Sequence, residues 1–254
     1  MADAVVRVSR EEATPVFRVL RVTVIPFLWL LARTVREGAA NIPREGGFVM
    51  TPNHTSNIDP LIMGAAVFQS GRSPHFLGKA SLWKVPIAGP LLRATRQIPV
   101  YRGRVTAEND PLRAATAALA EGRGIIVYPE GTLTRDPNTW PMRGKTGAVR
   151  LALATGVPLI PVAHWGTERL LPPYAKWLHT IPRVTITVRY GEPVDLSPFA
   201  GKPLDAVTLA EATDVVMVAI TELVADLRGE IPPAERWDPA QHGQTEFGRL
   251  ESKD

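Results

Sequence analysis

A chain of 254 residues, 45% of them hydrophobic, is long enough to bury a full core as one domain. It has no cysteine, which excludes disulfides, thiolate metal sites and a cysteine nucleophile together. A net charge of +4 admits anionic partners, whether nucleic acid, phosphorylated metabolites or anionic lipid. The first predicted element lies within residues 11–36, where Arg18, Arg21, Arg33 and Arg36 bracket the uncharged run 22–32. A bilayer-spanning helix needs roughly twenty apolar residues, and this run falls well short. Glu11 and Glu12 precede it and no small-residue cleavage site follows, which does not fit a secretory signal. An apolar stripe with Phe27 and Trp29, flanked by arginines that can meet lipid phosphates, suits a helix lying in a membrane interface. Its rival is a helix packed on the domain itself. Pro26 is expected to kink it.

Beyond that segment, strand and helix patterns alternate. Residues 48–51, 75–78, 97–101, 124–128, 157–163 and 184–190 read as strands, several of them short apolar runs of the buried type. Helical patterns fall at 58–69, 81–94, 110–121, 145–155 and 208–228. Asp110 before Pro111 is a good helix start, and Thr208 with Glu211 has capping-box spacing before a stop at Gly229. The alternation predicts an α/β fold with a mostly parallel, mixed central sheet covered by helices. The expected organisation is an N-terminal amphipathic membrane-associating helix over 1–40, one α/β domain over 41–229, and a polar, loosely ordered tail over 230–254.

Residues 60–107 contain no acidic side chain but carry Arg72, Lys79, Lys84, Arg93, Arg96, Arg102 and Arg104. Solvated surfaces normally mix signs, so this one-sided stretch is expected to place a positive field around a cleft. No aromatic-rich RNA-binding motif or zinc-finger spacing accompanies it, which argues against nucleic acid as partner. The histidines at 54, 75, 164, 179 and 242 lack metal-ligand spacing, and no metal site is expected.

Two short polar segments carry the chemistry. Asn53-His54-Thr55-Ser56-Asn57-Ile58-Asp59-Pro60 follows one apolar strand, and Pro129-Glu130-Gly131-Thr132-Leu133-Thr134-Arg135 follows another. A turn after Asn53 brings Asp59 back toward His54, where a carboxylate fixes the imidazole tautomer and leaves the other ring nitrogen to take a proton from a hydroxyl. That is half of a catalytic triad, without the nucleophile. Ser56 and Asp59 also have capping-box spacing, so Asp59 can serve the first helical amides as well. In the second segment Gly131 permits close backbone approach, while Thr132, Thr134 and Arg135 can donate to phosphate oxygens and Glu130 can orient them. Arg143-Gly144-Lys145-Thr146 lacks the strand and upstream glycine of a nucleotide phosphate loop, which leaves Lys145 at the border of an acyl-donor or phosphate site, or at a surface helix cap.

His54 to Asp59 in H-x-x-x-x-D spacing, followed by Glu130-Gly131-Thr132, resembles the glycerophospholipid acyltransferase family, whose members include lysophosphatidate acyltransferases. Gly78-Lys79 through Trp83, Pro86 and Gly89 to Ile98-Pro99-Val100-Tyr101-Arg102 is similar to that family's second motif, and residues 157–162 to its fourth. The resemblance covers about residues 45–165. It implies that His54 is the base and Asp59 its partner, and that Lys79, Arg102, Glu130, Gly131, Thr132 and Arg135 form the acceptor site. It also implies a fatty acyl group moved from an acyl-CoA or acyl carrier protein thioester to a lysophospholipid hydroxyl, with no cofactor, at the cytoplasmic face of a membrane. The chain departs from the family at Leu133, where an arginine usually follows G-T and Arg135, two residues on, is expected to replace it, and at Arg96, where a glycine is frequent. Absence of cysteine and of G-x-S-x-G agrees with direct transfer lacking an acyl-enzyme. Glycerol-3-phosphate, another lysophospholipid or a glycolipid stay open as acceptors, and a phosphoesterase or a non-catalytic lipid-binding protein stay open as other classes.

Overall fold

Runs such as Phe48-Val49-Met50 and Gly124-Ile125-Ile126 are apolar on both sides because both faces of the sheet they enter are covered. A computed structural model describes residues 15–101, 110–173 and 175–245. Its elements in chain order are α1 (Pro15–Leu31), β1 (Ala32–Glu37), β2 (Phe48–Pro52), α2 (Asp59–Gln69), β3 (Pro74–Lys79), α3 (Ala88–Ala94), β4 (Ile98–Val100), α4 (Pro111–Ala120), β5 (Gly124–Ile126), α5 (Gly147–Thr155), β6 (Leu159–Trp165), α6 (Thr167–Leu170), β7 (Val184–Tyr190) and α7 (Ala206–Arg228). Seven strands form one sheet in the order β1-β7-β6-β2-β5-β3-β4. Every pairing is parallel except β6 with β7. This is the mixed, mostly parallel α/β sheet that the sequence predicts.

Alternate residues of the central strands feed two cores. Val49 and Ile125 join a cluster with helices α4, α5 and α7, including Leu151, Met217 and Ile220. Phe48, Met50 and Ile126 join the opposite cluster with Leu28 of α1 and Ile62, Met63 and Val67 of α2. Gly124 has to be glycine, since a Cβ there would sit 2.1 Å from the Phe48 ring, directly across the β2–β5 register.

Several expectations need correction. The N-terminal helix stops at Leu31, and residues 32–37 form edge strand β1, parallel to β7. Arg33 and Arg36 therefore belong to the sheet, whose register is pinned by a 2.7 Å ion pair between Glu37 and its cross-strand partner Arg189. The helical pattern over 81–94 divides at Pro86 into a 3-10 turn, Ala80–Lys84, and α3. Asp205, not Thr208, caps α7 by accepting the Thr208 N–H at 2.8 Å. The described part of the tail returns to the body: the Arg143 N–H donates to the Trp237 carbonyl at 2.9 Å, and Pro239 is buried. Arg72, read as part of a surface field, is 2% exposed and donates to the carbonyls of Pro43, Gly46 and Gly122. It staples loops rather than facing a cleft. The Asp110 cap of α4 and the left-handed Gly229 stop of α7 stand as predicted. Glu11, Glu12, Arg102 and Arg104 lie outside the described residues.

Candidate active site

Parallel strands β2 and β5 are neighbours, so the loops leaving their carboxyl ends emerge side by side. One begins at Asn53-His54 and the other runs from Val127 to Glu130. In open α/β sheets that edge is where ligands bind. The two loops are joined through the backbone of His54: its N–H donates to Glu130 Oε1 at 2.8 Å, and its carbonyl accepts the Thr134 N–H at 2.7 Å. The second loop, distant in sequence, thereby grips the His54 backbone at both its amide and its carbonyl.

The His54 Nδ1 lies 2.9 Å from Asp59 Oδ2. That same oxygen accepts the backbone N–H groups of Thr55 and Ser56, each at 2.8 Å. Asp59 thus ties the loop and aims the ring at once, and with Ser56, whose Oγ accepts the Ile58 N–H at 3.3 Å, it makes the reciprocal bonds of a capping box just ahead of α2. Ser56 also donates its hydroxyl to the Leu171 carbonyl at 2.6 Å. Burial by itself would raise the Asp59 pKa. His164, the hydrogen bond and charge of His54, and Thr167 outweigh it and hold the carboxyl below its ordinary value. Asp59 is therefore an anion at neutral pH, which sets His54 with its proton on Nδ1 and its Nε2 basic. The His54 side chain is 16% exposed, and its ring stacks on Tyr128 with centroids 4.1 Å apart. Burial, then the Asp59 charge, pushes the Tyr128 hydroxyl well above its usual pKa, so it stays neutral beside the pair.

His164 was not singled out by sequence reasoning. It is fully buried, with Nε2 at 2.8 Å from the Asn53 carbonyl and 3.5 Å from Asp59 Oδ2, while Nδ1 meets the Thr167 hydroxyl at 3.2 Å. Asn53 pairs with the His164 backbone through both its amide atoms. These bonds cross from β2 to β6, so only the register of two strands distant in sequence discloses them. The fourth-motif residues serve here as a central strand, not as a binding surface.

A cavity of about 1090 Å3 opens at this edge, just above the roughly 300–1,000 Å3 usual for ligand sites. His54, Lys79, Gly131, Thr132, Leu133 and Lys145 line it, and apolar residues of α1, α2 and α3 form much of the rest. Glu130 and Arg135 do not. Glu130 is buried, with Oε2 accepting the Met142 N–H at 3.1 Å. Burial drives its pKa up to about 8 against the lowering effect of its hydrogen bonds. Arg135 is 2% exposed behind the turn, and the Thr134 hydroxyl is spent on the Trp140 carbonyl at 2.6 Å. The structure thus brings His54, Asp59, Lys79, Gly131 and Thr132 to one site, turns Glu130 into a brace and sets Arg135 aside. Among the described residues no His, Asp and Glu cluster could hold a metal ion.

A family model described as Acyltransferase matches residues 33–165. The chloroplast 1-acyl-sn-glycerol-3-phosphate acyltransferase BAT2 of Brassica napus is 25% identical over 69% of this chain and 49% of its own length. That of Borreliella burgdorferi is 29% identical over 60% of this chain and 59% of its own. The chain therefore spans about half the length of these curated relatives, whereas it spans 84% of the Bacillus subtilis 1-acyl-sn-glycerol-3-phosphate acyltransferase at 27% identity. Among solved structures, the lysophosphatidate acyltransferase PlsC of Thermotoga maritima superposes with a TM-score of 0.64 at 26% identity, covering 85% of this chain and 81% of that one. With the histidine–carboxylate pair, the glycine turn and the strands that carry them all inside the matched region, the chain belongs to the acyltransferase family.

Proposed function

We propose that this protein transfers a fatty acyl group from a thioester donor, acyl-CoA or acyl carrier protein, to the free hydroxyl of lysophosphatidate, with His54 as general base and no acyl-enzyme. The 2.9 Å contact between His54 Nδ1 and an anionic Asp59 carries this reading, because it leaves Nε2 as the basic nitrogen on the cavity wall. In the proposed step Nε2 takes the acceptor proton as the hydroxyl oxygen bonds to the thioester carbonyl carbon. Collapse of the tetrahedral intermediate breaks the carbon–sulfur bond, and the departing thiolate recovers the proton from the imidazolium. Asp59 stabilises that transient cation. The chemistry needs neither a metal nor a cofactor, and the apolar part of the cavity suits acyl chains.

The reading extends to a membrane surface as partner, at its cytoplasmic face. Helix α1 is apolar nearly all round: Phe17, Ile25 and Leu28 are buried, yet Val22, Phe27, Trp29 and Leu30 are exposed. Among the described residues no helix is long and apolar enough to cross a bilayer, so the outward side chains fit a helix lying in the interface. Arg183 bonds the Trp29 carbonyl and brings the exposed Trp177 and Ile181 segment toward the same end. The test is radiolabelled acyl transfer from both donor types to a panel of acceptors. Phosphatidate as the product supports the proposal, and His54→Ala should reduce turnover to background while the circular dichroism spectrum is unchanged. Substantial activity in that variant removes the mechanism.

A further inference from the structure

The turn after Gly131 poses a charge problem. At position 133, where family resemblance leads one to expect an arginine, this chain has Leu133, an aliphatic side chain on the cavity wall. The substitute expected two residues on, Arg135, is enclosed away from the cavity. A phosphate seated at this turn would meet backbone and the Thr132 hydroxyl, but no cation from the turn itself.

Lys145 fills that gap from a different part of the chain. Its backbone N–H donates to the Pro129 carbonyl at 2.7 Å, which fixes its Cα against the loop that carries Glu130 and Gly131. Its side chain then runs across Gly131: a Cβ built on that glycine would lie 3.2 Å from Lys145 Cε, 3.3 Å from Cδ and 3.9 Å from Nζ. Gly131 also has φ +72, so the position requires glycine twice over, for its backbone and for the passage of the lysine. Lys145 lines the same cavity as His54 and Thr132. We propose that Lys145 is the cation that holds the acceptor's phosphate monoester beside Gly131 and Thr132, in place of the arginine absent at position 133. This assignment rests on the acyltransferase reading above and makes Lys145 a determinant of acceptor recognition. An ammonium offers a point charge rather than a bidentate fork, so it anchors a phosphate without dictating its rotation.

The experiment measures KM separately for lysophosphatidate and for the thioester donor in the wild type, Lys145→Met, Lys145→Gln and Lys145→Arg. Met and Gln keep an extended stem over Gly131, which gives two chances of a folded, uncharged variant. Loss of a charge-assisted contact should raise the acceptor KM at least about tenfold, leave the donor KM within about twofold, and be largely reversed by Arg. An unchanged acceptor KM, an effect confined to the donor, or an equal rise in both overturns the assignment. A wild type that acylates no lysophosphatidate at all would instead sink the function proposed above.

Discussion

Asp59 Oδ2 receives three hydrogen bonds, two from the loop backbone and one from His54. Replacement by Asn keeps the shape but removes the charge that favours the imidazolium and fixes its tautomer. We predict that Asp59→Asn lowers kcat by about 10²–10⁴-fold in the acyl-transfer assay with a smaller change in KM. Glu130 makes a prediction about pH. Its folded pKa of about 8 lies above the ordinary 4.5, so across that window the folded state holds a proton that the unfolded chain has lost. Stability contributed by the neutral side chain is present below pH 4.5 and is lost as pH rises toward 8, by on the order of a few kcal/mol. Asp59 acts in the opposite sense and in a different window, its contribution being lost only as pH falls below about 3.8, the ordinary Asp value. Urea unfolding between pH 5 and pH 8 should show the decline in the wild type and a flatter profile in Glu130→Gln. The variant should also be less stable at pH 5, because one amide N–H would then face the backbone N–H of His54 or Met142.

Among the elements, the least predictable pieces are those defined by a distant partner. Strand β1 has charged residues at 33, 36 and 37 and follows a helix without a break, so local periodicity gives no warning that β7 recruits it. The turn before β4 shows the reverse, a sequence anomaly that structure explains. Arg96 has φ +55, the left-handed region in which glycine is unstrained, and the position is one where the family frequently has glycine. Arg96→Gly should therefore relieve backbone strain and, after the entropy that glycine costs the unfolded chain, raise stability by up to about 1 kcal/mol. Denaturant melting checks it, with a lowered midpoint counting against the strain. The pattern across 81–94 looks continuous as a helix because Trp83, Leu91 and Leu92 keep helical spacing. Pro86 and the positive φ of Ile87 break it.

For the molecule as a whole, apolar residues of α1 serve two environments. Phe17, Leu20, Val24 and Ile25 wall the cavity, and Val22, Phe27 and Leu30 face outward. A lipid acceptor entering from an interface would meet both without crossing water. Changing Phe27 and Trp29 together to serine should weaken sedimentation with anionic phospholipid vesicles at least about tenfold, since each ring contributes about 1.5–3 kcal/mol when buried. Unchanged vesicle binding would detach α1 from the membrane role.

Residue types and spacing along the chain were enough to determine the α/β class, the positions of six strands, the His54–Asp59 pairing and the acyltransferase resemblance, because turns, caps and buried strands leave local signatures. Those signatures also sufficed for the Asp110 cap and the Gly229 stop. What no local pattern could decide was which charged groups reach the cavity. Glu130, Arg135 and Lys145 occupy comparable polar surroundings in the sequence, yet one braces His54, one is enclosed and one crosses Gly131. Only the pairing of β2 with β5 and β6 makes that distinction, and it does so because strand register, a property of residues far apart in the chain, sets which way each loop turns.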